Sequence, residues 1–186
     1  ADYVTHCPTL PAWGVNGAGQ LGLGDFKLRR TPVATPVRGA ALIRAGGDLS
    51  IAVTSARTAM AWGENSEGQL GTGGTLTTDQ SVPISILTAV VDAAPTDRML
   101  LLVGSDGAIR GAGANDAGSL GDGTTTARNT FTAATGLAGM LGASSGGRTF
   151  SLALRSDGSI FSWGDNSGEQ LGNSTLAVAG TSTPTP

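Results

Sequence analysis

Three short stretches of the sequence carry residue types and spacings that could do chemistry. Gly17-x-Gly19-x-x-Gly22 has the spacing of a dinucleotide-binding loop, whose glycines let a pyrophosphate approach the backbone closely. His6 and Cys7 are a base and a nucleophile side by side. The run 111–116 resembles the glycine- and aspartate-rich calcium loops of parallel β-rolls. Each reading depends on the elements that would have to position these groups.

None of the three stretches has the surroundings that its chemistry needs. A dinucleotide loop joins a strand to a helix, whereas this glycine run lies inside a repeated turn. Calcium takes six to eight oxygen ligands, and apart from Asp165 the other repeats have no aspartate in phase with Asp116. Neighbouring residues on an extended segment point to opposite faces, so His6 and Cys7 diverge, and no third residue orients them. We therefore expect no enzyme activity, cofactor, metal ion or small-molecule substrate.

The glycine run belongs to a motif, Trp-Gly-x-Asn-x-x-Gly-Gln-Leu-Gly, that occurs twice in full and twice with one or two changes. Its copies occupy residues 13–24, 62–73, 112–123 and 163–174, so they start about 50 residues apart, which indicates an array of structural units. We interpret the tryptophans as packing between units, and the asparagines as turn residues that satisfy the backbone or tolerate left-handed geometry. These signature residues are Trp13, Trp62 and Trp163, with Ala112 at the remaining position, and Asn16, Asn65, Asn115 and Asn166.

The residues between the motifs predict four short strands per unit. In one unit the strands fall near 41–45, 49–53, 58–62 and 82–86, with Ser-Asp-Gly turns at the equivalent positions of later units. Four strands per unit of this length describe a β-propeller blade. We predict an all-β fold of propeller-type repeats, roughly three and a half to four blades, over residues 1–175. Residues 176–186 form an extended Thr/Pro tail, read as a linker, an arm or a frayed end.

The motif, its Asp-Gly hairpin and the Pro-flanked strand after it resemble the repeats of the regulator of chromosome condensation family, over about residues 11–175. The resemblance implies a β-propeller. It does not imply one function, because members include a nucleotide-exchange factor for a small GTPase, which also docks on chromatin, and a secreted inhibitor of β-lactamases. Family repeats often place a His where this chain has Leu49, Met99 and Phe150, and no wedge for a GTPase is evident. We therefore rank exchange-factor activity last.

Charge and composition narrow the classes of partner that the chain could bind. A formal net charge of −3 offers no general attraction for nucleic acid, and no apolar run approaches the ~20 residues that span a bilayer. We expect neither nucleic-acid nor membrane binding. So few blades leave exposed sheet edges, which favours assembly with a protein partner or with other copies of the chain.

The turn before the second strand differs between units, and such turns gather near the axis on one face of a propeller. We predict that they form a polar surface for protein recognition. The function we expect is a non-catalytic protein-binding or structural module within a larger assembly, with a bacterial or phage virion component as one setting. The alternative is a secreted inhibitor or adhesion-type binder. An extracellular or virion location is favoured over the cytoplasm, although the residues do not determine the compartment. The candidate partner-binding residues are Asp48, Asp97, Arg98 and Arg148.

Overall fold

The computed structural model describes residues 9–74, 78–147, 149–173 and 180–186, and over these ranges the chain is all β. The predicted pair His6–Cys7 and the candidate Arg148 lie outside the described residues. The strands are Thr9–Gly14 (β1), Arg29–Arg38 (β2), Ala40–Gly46 (β3), Leu49–Thr54 (β4), Ala59–Gly63 (β5), Gln80–Leu87 (β6), Val90–Pro95 (β7), Met99–Gly104 (β8), Ile109–Gly113 (β9), Arg128–Ala133 (β10), Met140–Gly146 (β11), Phe150–Arg155 (β12), Ile160–Gly164 (β13) and Thr181–Thr185 (β14).

The strands form four separate antiparallel sheets. The first contains only β1 and β2, and the second, third and fourth each contain four consecutive strands in chain order. The first strands of the complete sheets, β3, β7 and β11, lie beside one another and so line a common axis. In this arrangement β1 and β2 correspond to the outer pair of a blade. The predicted propeller-type fold of about three and a half blades is confirmed.

Apolar side chains alternate along the second strand of each four-stranded sheet, and the hydrophobic cores lie between successive sheets. Leu49, Ile51 and Val53 of β4 face the third sheet and form a core with its residues, including Leu100 and Leu102. The remaining positions of each strand face the opposite way, as the two-residue period of a strand requires. A second core between the third and fourth sheets repeats this pattern. The array is therefore stabilised sheet against sheet, as repeat proteins are.

In every copy the asparagine of the motif organises the loop that follows the third strand. Its side-chain Oδ1 accepts a hydrogen bond from the backbone N–H of the leucine five residues later, at 2.8 Å for Asn16 and 2.9 Å for Asn115. The equivalent bonds are 3.0 Å for Asn65 and 3.1 Å for Asn166. None of the four asparagines has a positive φ. Of the two roles predicted for them, they therefore hydrogen-bond the backbone of the loop and do not adopt the left-handed conformation.

The glycines after Trp62 and Trp163 are required by a close approach of two chain segments. Gly63 has φ +107°, and a Cβ there would stand 2.1 Å from the carbonyl oxygen of Asp48. A Cβ at Gly164 would stand 2.3 Å from the carbonyl oxygen of Thr149. The motif loop therefore packs directly on the hairpin turn of its own sheet.

The last glycine of each of the first three motifs lies under an aromatic ring from the next sheet. Trp62 packs over Gly22 and donates from Nε1 to the Gln20 carbonyl at 2.7 Å. Trp163 packs over Gly121 and donates to the Ser119 carbonyl at the same distance.

At the interface between the second and third sheets, where Ala112 replaces tryptophan, Phe131 of β10 fills the slot over Gly71. On the outer strands of the other two sheets the position of Phe131 is held by Pro83 and Pro184, which line the slots beside the tryptophans. The chain thus uses one aromatic ring per internal interface, taken from either of two strands.

The described part of the C-terminal tail is extended, but it belongs to a sheet. Thr181–Thr185 forms β14 and pairs antiparallel with β13, which completes the fourth sheet. The Thr185 hydroxyl donates to the Ser162 carbonyl at 3.2 Å. The reading of this segment as a free arm or a frayed end is therefore corrected. The unpaired edge of β13 would otherwise leave backbone groups without partners.

No helix among the described residues is long and apolar enough to cross a bilayer.

Candidate functional site

The two ends of the sheets form two different faces. One face, here called the loop face, carries the hairpin turns after β3, β7 and β11 and the motif loops after β1, β5, β9 and β13. The opposite face carries the short turns that join the second strand of each sheet to the third, including the Ser-Asp-Gly turns. The predicted partner-binding residues within the described ranges all lie on the loop face.

The hairpin turns of the loop face converge near the axis, as the sequence predicted for such turns. A Cβ at Gly47 would stand 2.3 Å from the Cβ of Asp97, so the turns of the second and third sheets abut. An open groove of about 400 Å³ lies between them, lined by Gly46, Gly47, Pro95, Thr96, Asp97, Ser145 and Gly147. The loop face is thus concave at its centre.

A motif glutamine reaches across to the hairpin turn of the next sheet at two of the interfaces. Gln20 donates from Nε2 to the Asp48 carboxylate at 2.5 Å. Gln69, which is fully buried, donates from Nε2 to the Asp97 backbone carbonyl at 3.1 Å. Each glutamine also accepts a hydrogen bond from its own loop, through Oε1. Asp48 and Asp97 are therefore held in place by the preceding motif rather than placed on mobile turns.

Arg98 joins two motif loops through ion pairs. Its guanidinium lies 2.8 Å from the Glu67 carboxylate of the second sheet's loop and 2.9 Å from the Asp116 carboxylate of the third sheet's loop. The hydrogen bonds to Glu67, and then to Asp116, raise the pKa of Arg98 above its usual value. The Asp116 side chain is 72% exposed, so its ion pair with Arg98 lies at the surface and contributes little to stability.

The loop face is acidic. Among the described residues it carries ten carboxylates and four basic side chains, whereas the turns of the opposite face carry only two carboxylates. The carboxylates of the loop face are Asp25, Asp48, Glu64, Glu67, Asp79, Asp97, Asp116, Asp122, Asp165 and Glu169, and its basic residues are Lys27, Arg29, Arg98 and Arg128. Several pair locally, as Asp122 does with Arg128 at 2.6 Å, but the face keeps an excess of negative charge.

No group of three or more His, Cys, Asp or Glu side chains within the described ranges is arranged to hold a metal ion. On the opposite face, Asp106 pairs with Arg110 and Asp157 pairs with Arg155, each within its own sheet. The Arg110 guanidinium lowers the pKa of Asp106 to about 2. The two aspartates occupy the same phase of the repeat, but Asp106 pairs with an arginine of the following strand and Asp157 with an arginine of the preceding strand. Each pair lies within a single hairpin.

Comparison with known proteins agrees with this architecture. Residues 144–170 match the family model of the regulator of chromosome condensation (RCC1) repeat. The matched stretch runs from β11 into the last motif loop. No curated protein sequence matches at a significant level.

Solved structures with the same fold include RCC1 proteins. Yeast RCC1 (Prp20), in a crystal structure bound to Kap60, superposes with a TM-score of 0.77 at 22% identity, covering 95% of this chain and 44% of that one. A second structure, of Prp20p from Saccharomyces cerevisiae and concerned with its binding to Gsp1p and histones, gives 0.77 at 21% identity, covering 95% and 45%. Human WBSCR16 gives 0.80 at 21% identity, covering 97% and 47%. The chain therefore spans somewhat less than half the length of each.

Sequence reasoning left out several residues that shape the loop face. Glu67 and Asp116 fix the position of Arg98, and Gln20 and Gln69 brace the aspartate turns. The recurrence of glutamine at one phase of the motif was the available signal for the bracing. No comparable signal marked the ion pairs, because they join side chains of different repeats at phases that do not recur.

Proposed function

We propose that this chain is a non-catalytic protein-binding module that presents its loop face to a partner within a larger assembly. One observation carries the proposal: the side chains that recur in the repeats make their contacts within the array. The asparagines bind their own loops, two tryptophans pack between sheets, and two glutamines brace the next hairpin turn. The residues that differ between repeats are left on the loop face, where they produce a concave, acidic surface.

The negative charge of the loop face indicates which kind of protein surface it would bind. Among the residues that the structure describes, ten carboxylates against four basic groups favour a partner with a basic patch, because complementary potentials speed encounter and exclude acidic competitors. The central groove between the hairpin turns is wide enough to take side chains of the partner. Among the proteins of similar fold, the study of Prp20p concerns its binding to histones, which are basic proteins. Purified histones are therefore a suitable first probe of a basic protein surface.

The test is a binding titration of purified histones on the immobilised chain by biolayer interferometry. We expect binding that weakens as salt is added, since exposed charges are screened beyond about 10 Å at 0.1 M ionic strength. A double variant, Glu64→Gln with Asp116→Asn, removes two loop-face charges without changing side-chain size. It should raise Kd severalfold, mainly through a slower association rate.

The control removes the same amount of charge from the opposite face. Asp106→Asn with Asp157→Asn lowers the net negative charge equally, and both residues lie in hairpin turns away from the loop face. This variant should bind like the wild type. Equal weakening in both double variants would show attraction by net charge alone, and no binding by the wild type would contradict a basic partner.

Nucleotide exchange on a small GTPase is the second candidate, favoured by the fold shared with a protein studied for its binding to Gsp1p. The measurement is release of a fluorescent guanine nucleotide from a purified small GTPase with and without this chain. We expect no acceleration, because the array spans less than half of the Prp20p chain. An accelerated release that depends on the concentration of the chain would replace the binding-module proposal.

A further inference from the structure

The motif loop between β1 and β2 displays two large apolar side chains to solvent. Phe26 is 53% exposed and Leu28 is 55% exposed. Val82, on the outer strand β6 of the second sheet, is 49% exposed and lies against the same loop, because a Cβ on Gly24 would stand 3.9 Å from its Cγ2 atom. We call Phe26, Leu28 and Val82 the rim patch, since the loop meets the second sheet at its outermost strand.

The exposure of Phe26 and Leu28 is a property of their position in the repeat and not of the end of the array. In the third sheet the equivalent positions are held by Thr125 and Ala127, and both are exposed. The third sheet has a packed core on each of its two sides, against the second sheet and against the fourth. A neighbouring sheet on either side therefore leaves these loop positions open to solvent.

The position of Val82 is likewise exposed between other sheets. Val82 follows Ser81, whose carbonyl accepts a hydrogen bond from the backbone N–H of Gly24 at 2.8 Å. The same bond joins the next motif glycine but one to Ser182 at 3.0 Å, so Thr183 is the equivalent of Val82, and it is exposed as well. The third and fourth sheets thus meet with two threonines and an alanine where the first and second sheets have three large apolar side chains. Because the small set supports the same loop, the large side chains are not needed for folding, and such clusters at a surface are typical of interaction sites.

The loop that displays the rim patch is fixed by hydrogen bonds at its base. The Asp25 carboxylate accepts from the Lys27 backbone N–H at 3.0 Å and from the Arg29 guanidinium at 2.8 Å. Arg29 also donates to the Lys27 carbonyl at 2.8 Å, and Asn16 donates to the Asp25 carbonyl at the same distance. A loop that is already ordered loses little conformational entropy when it binds, which favours a role in recognition.

Two exposed cations lie beside the apolar side chains. Lys27 stands between Phe26 and Leu28, and Arg30 is the second residue of β2. Among the residues that the structure describes, neither cation forms an ion pair, whereas Arg29 pairs with a carboxylate of its own loop. An apolar surface flanked by unpaired cations is complementary to an apolar surface flanked by carboxylates.

We propose that the rim patch is a docking site for an acidic segment of a partner protein that carries large apolar side chains. Phe26 and Leu28 pack against the apolar side chains of that segment, and Lys27 and Arg30 pair with its carboxylates. Burial of the apolar side chains supplies the affinity, and the two cations orient the segment and disfavour basic competitors. The site selects the opposite charge from the acidic groove at the centre of the loop face, so it does not rest on the proposed binding of a basic partner.

Selection from random peptides displayed on phage tests the chemistry of the partner. The immobilised full chain is the bait, and the peptides that remain after several rounds are sequenced. We expect the enriched peptides to combine Asp or Glu with Leu, Ile, Phe or Trp. Enriched peptides without an excess of acidic residues would overturn the proposal, and so would the absence of any enriched peptide.

Two variants that copy the third sheet locate the binding site. Phe26→Thr with Leu28→Ala removes the apolar side chains, and Lys27→Thr with Arg30→Asn removes the cations. A synthetic copy of the most enriched peptide should bind the first variant at least about tenfold more weakly than the wild type, because aromatic anchors dominate binding energy. The second variant should bind severalfold more weakly and should lose most of the salt dependence of binding.

The matched control removes two exposed apolar side chains from other strands. Val91 of β7 and Leu141 of β11 are both exposed, so Val91→Thr with Leu141→Ala lowers the exposed apolar area without touching the rim patch. This variant should bind the peptide like the wild type. Equal weakening in the control and in Phe26→Thr with Leu28→Ala would show general apolar adhesion and would contradict the site. Circular dichroism checks that every variant is folded.

Two further measurements test other occupants of the rim patch. Sedimentation of the chain alone detects a second copy, and co-sedimentation with vesicles of phosphatidylcholine and phosphatidylserine detects a membrane surface. We expect neither kind of association to depend on the patch. Self-association or vesicle binding that is lost in Phe26→Thr with Leu28→Ala would overturn the protein partner. Histone binding should be unchanged in that variant, so the failure of this proposal and the failure of the proposed function are distinguishable.

Discussion

Two tryptophans at the same phase of the repeat should differ greatly in their contribution to stability. Trp62 is 3% exposed, packs over Gly22 and donates to the Gln20 carbonyl at 2.7 Å, whereas Trp13 is 58% exposed. Replacing a buried large aromatic by alanine costs about 3–5 kcal/mol through lost transfer energy and the cavity that remains. The lost hydrogen bond adds about 1 kcal/mol. We therefore expect Trp62→Ala to lower the free energy of unfolding by at least about 3 kcal/mol.

The measurement is urea unfolding followed by circular dichroism, because tryptophan fluorescence changes with the substitution itself. The control is Trp13→Ala, which makes the same chemical change at an exposed site and should alter the free energy of unfolding by no more than about 0.5 kcal/mol. A loss below about 1 kcal/mol for Trp62→Ala, or equal losses for both variants, would refute the assignment of Trp62 to packing between sheets.

Three further substitutions probe the array. Phe131→Ala should lower the free energy of unfolding by about 3 kcal/mol, because it empties the aromatic slot between the second and third sheets. Adding Ala112→Trp should restore much of that loss, as measured by urea unfolding. No recovery would show that the slot accepts only the phenyl ring. Asn166→Ala should cost about 1–2 kcal/mol by removing the acceptor for a buried backbone N–H, measured in the same way. The pKa of Asp106 is lowered to about 2 in the folded protein, against the ordinary aspartate value of 3.8. The pair with Arg110 therefore stabilises the fold at pH values above 3.8, and this contribution is lost as the pH falls through the folded-state pKa. Arg110→Ala should therefore flatten the decline in thermal stability between about pH 4 and pH 2, and an unchanged decline would contradict that origin.

The sheets could be predicted from the sequence because their determinants are local. Alternation of apolar residues along 49–53 defines a strand, and the Asp-Gly turn at 106–107 defines a hairpin, where Gly107 indeed has a positive φ. The repeat of the motif then places the same elements in each unit. The four-stranded sheets, their order and the approximate strand positions all followed from this pattern.

The candidate site was predictable only as a region. The convergence of the hairpin turns follows from blade topology, and the structure places Asp48, Asp97 and Arg98 on that one face. Their role in binding a partner stays a prediction. The pairing of Arg98 with Glu67 and Asp116 was not predictable, because it depends on the distance between loops of two different sheets.

By itself the sequence determined the repeat, the all-β class and the role of the motif as a structural turn, since strand alternation, turn glycines and asparagine side chains act over a few residues. Only the tertiary structure decided which of the residues at equivalent positions of the repeats are buried. Trp62 and Trp13 occupy the same position in their units, yet only Trp62 has a sheet in front of it. Phe131 replaces the ring missing at Ala112 from a different strand, and β14 completes the last sheet by pairing with β13. Burial and pairing depend on which segments meet in space, and that information is not local to any stretch of the chain.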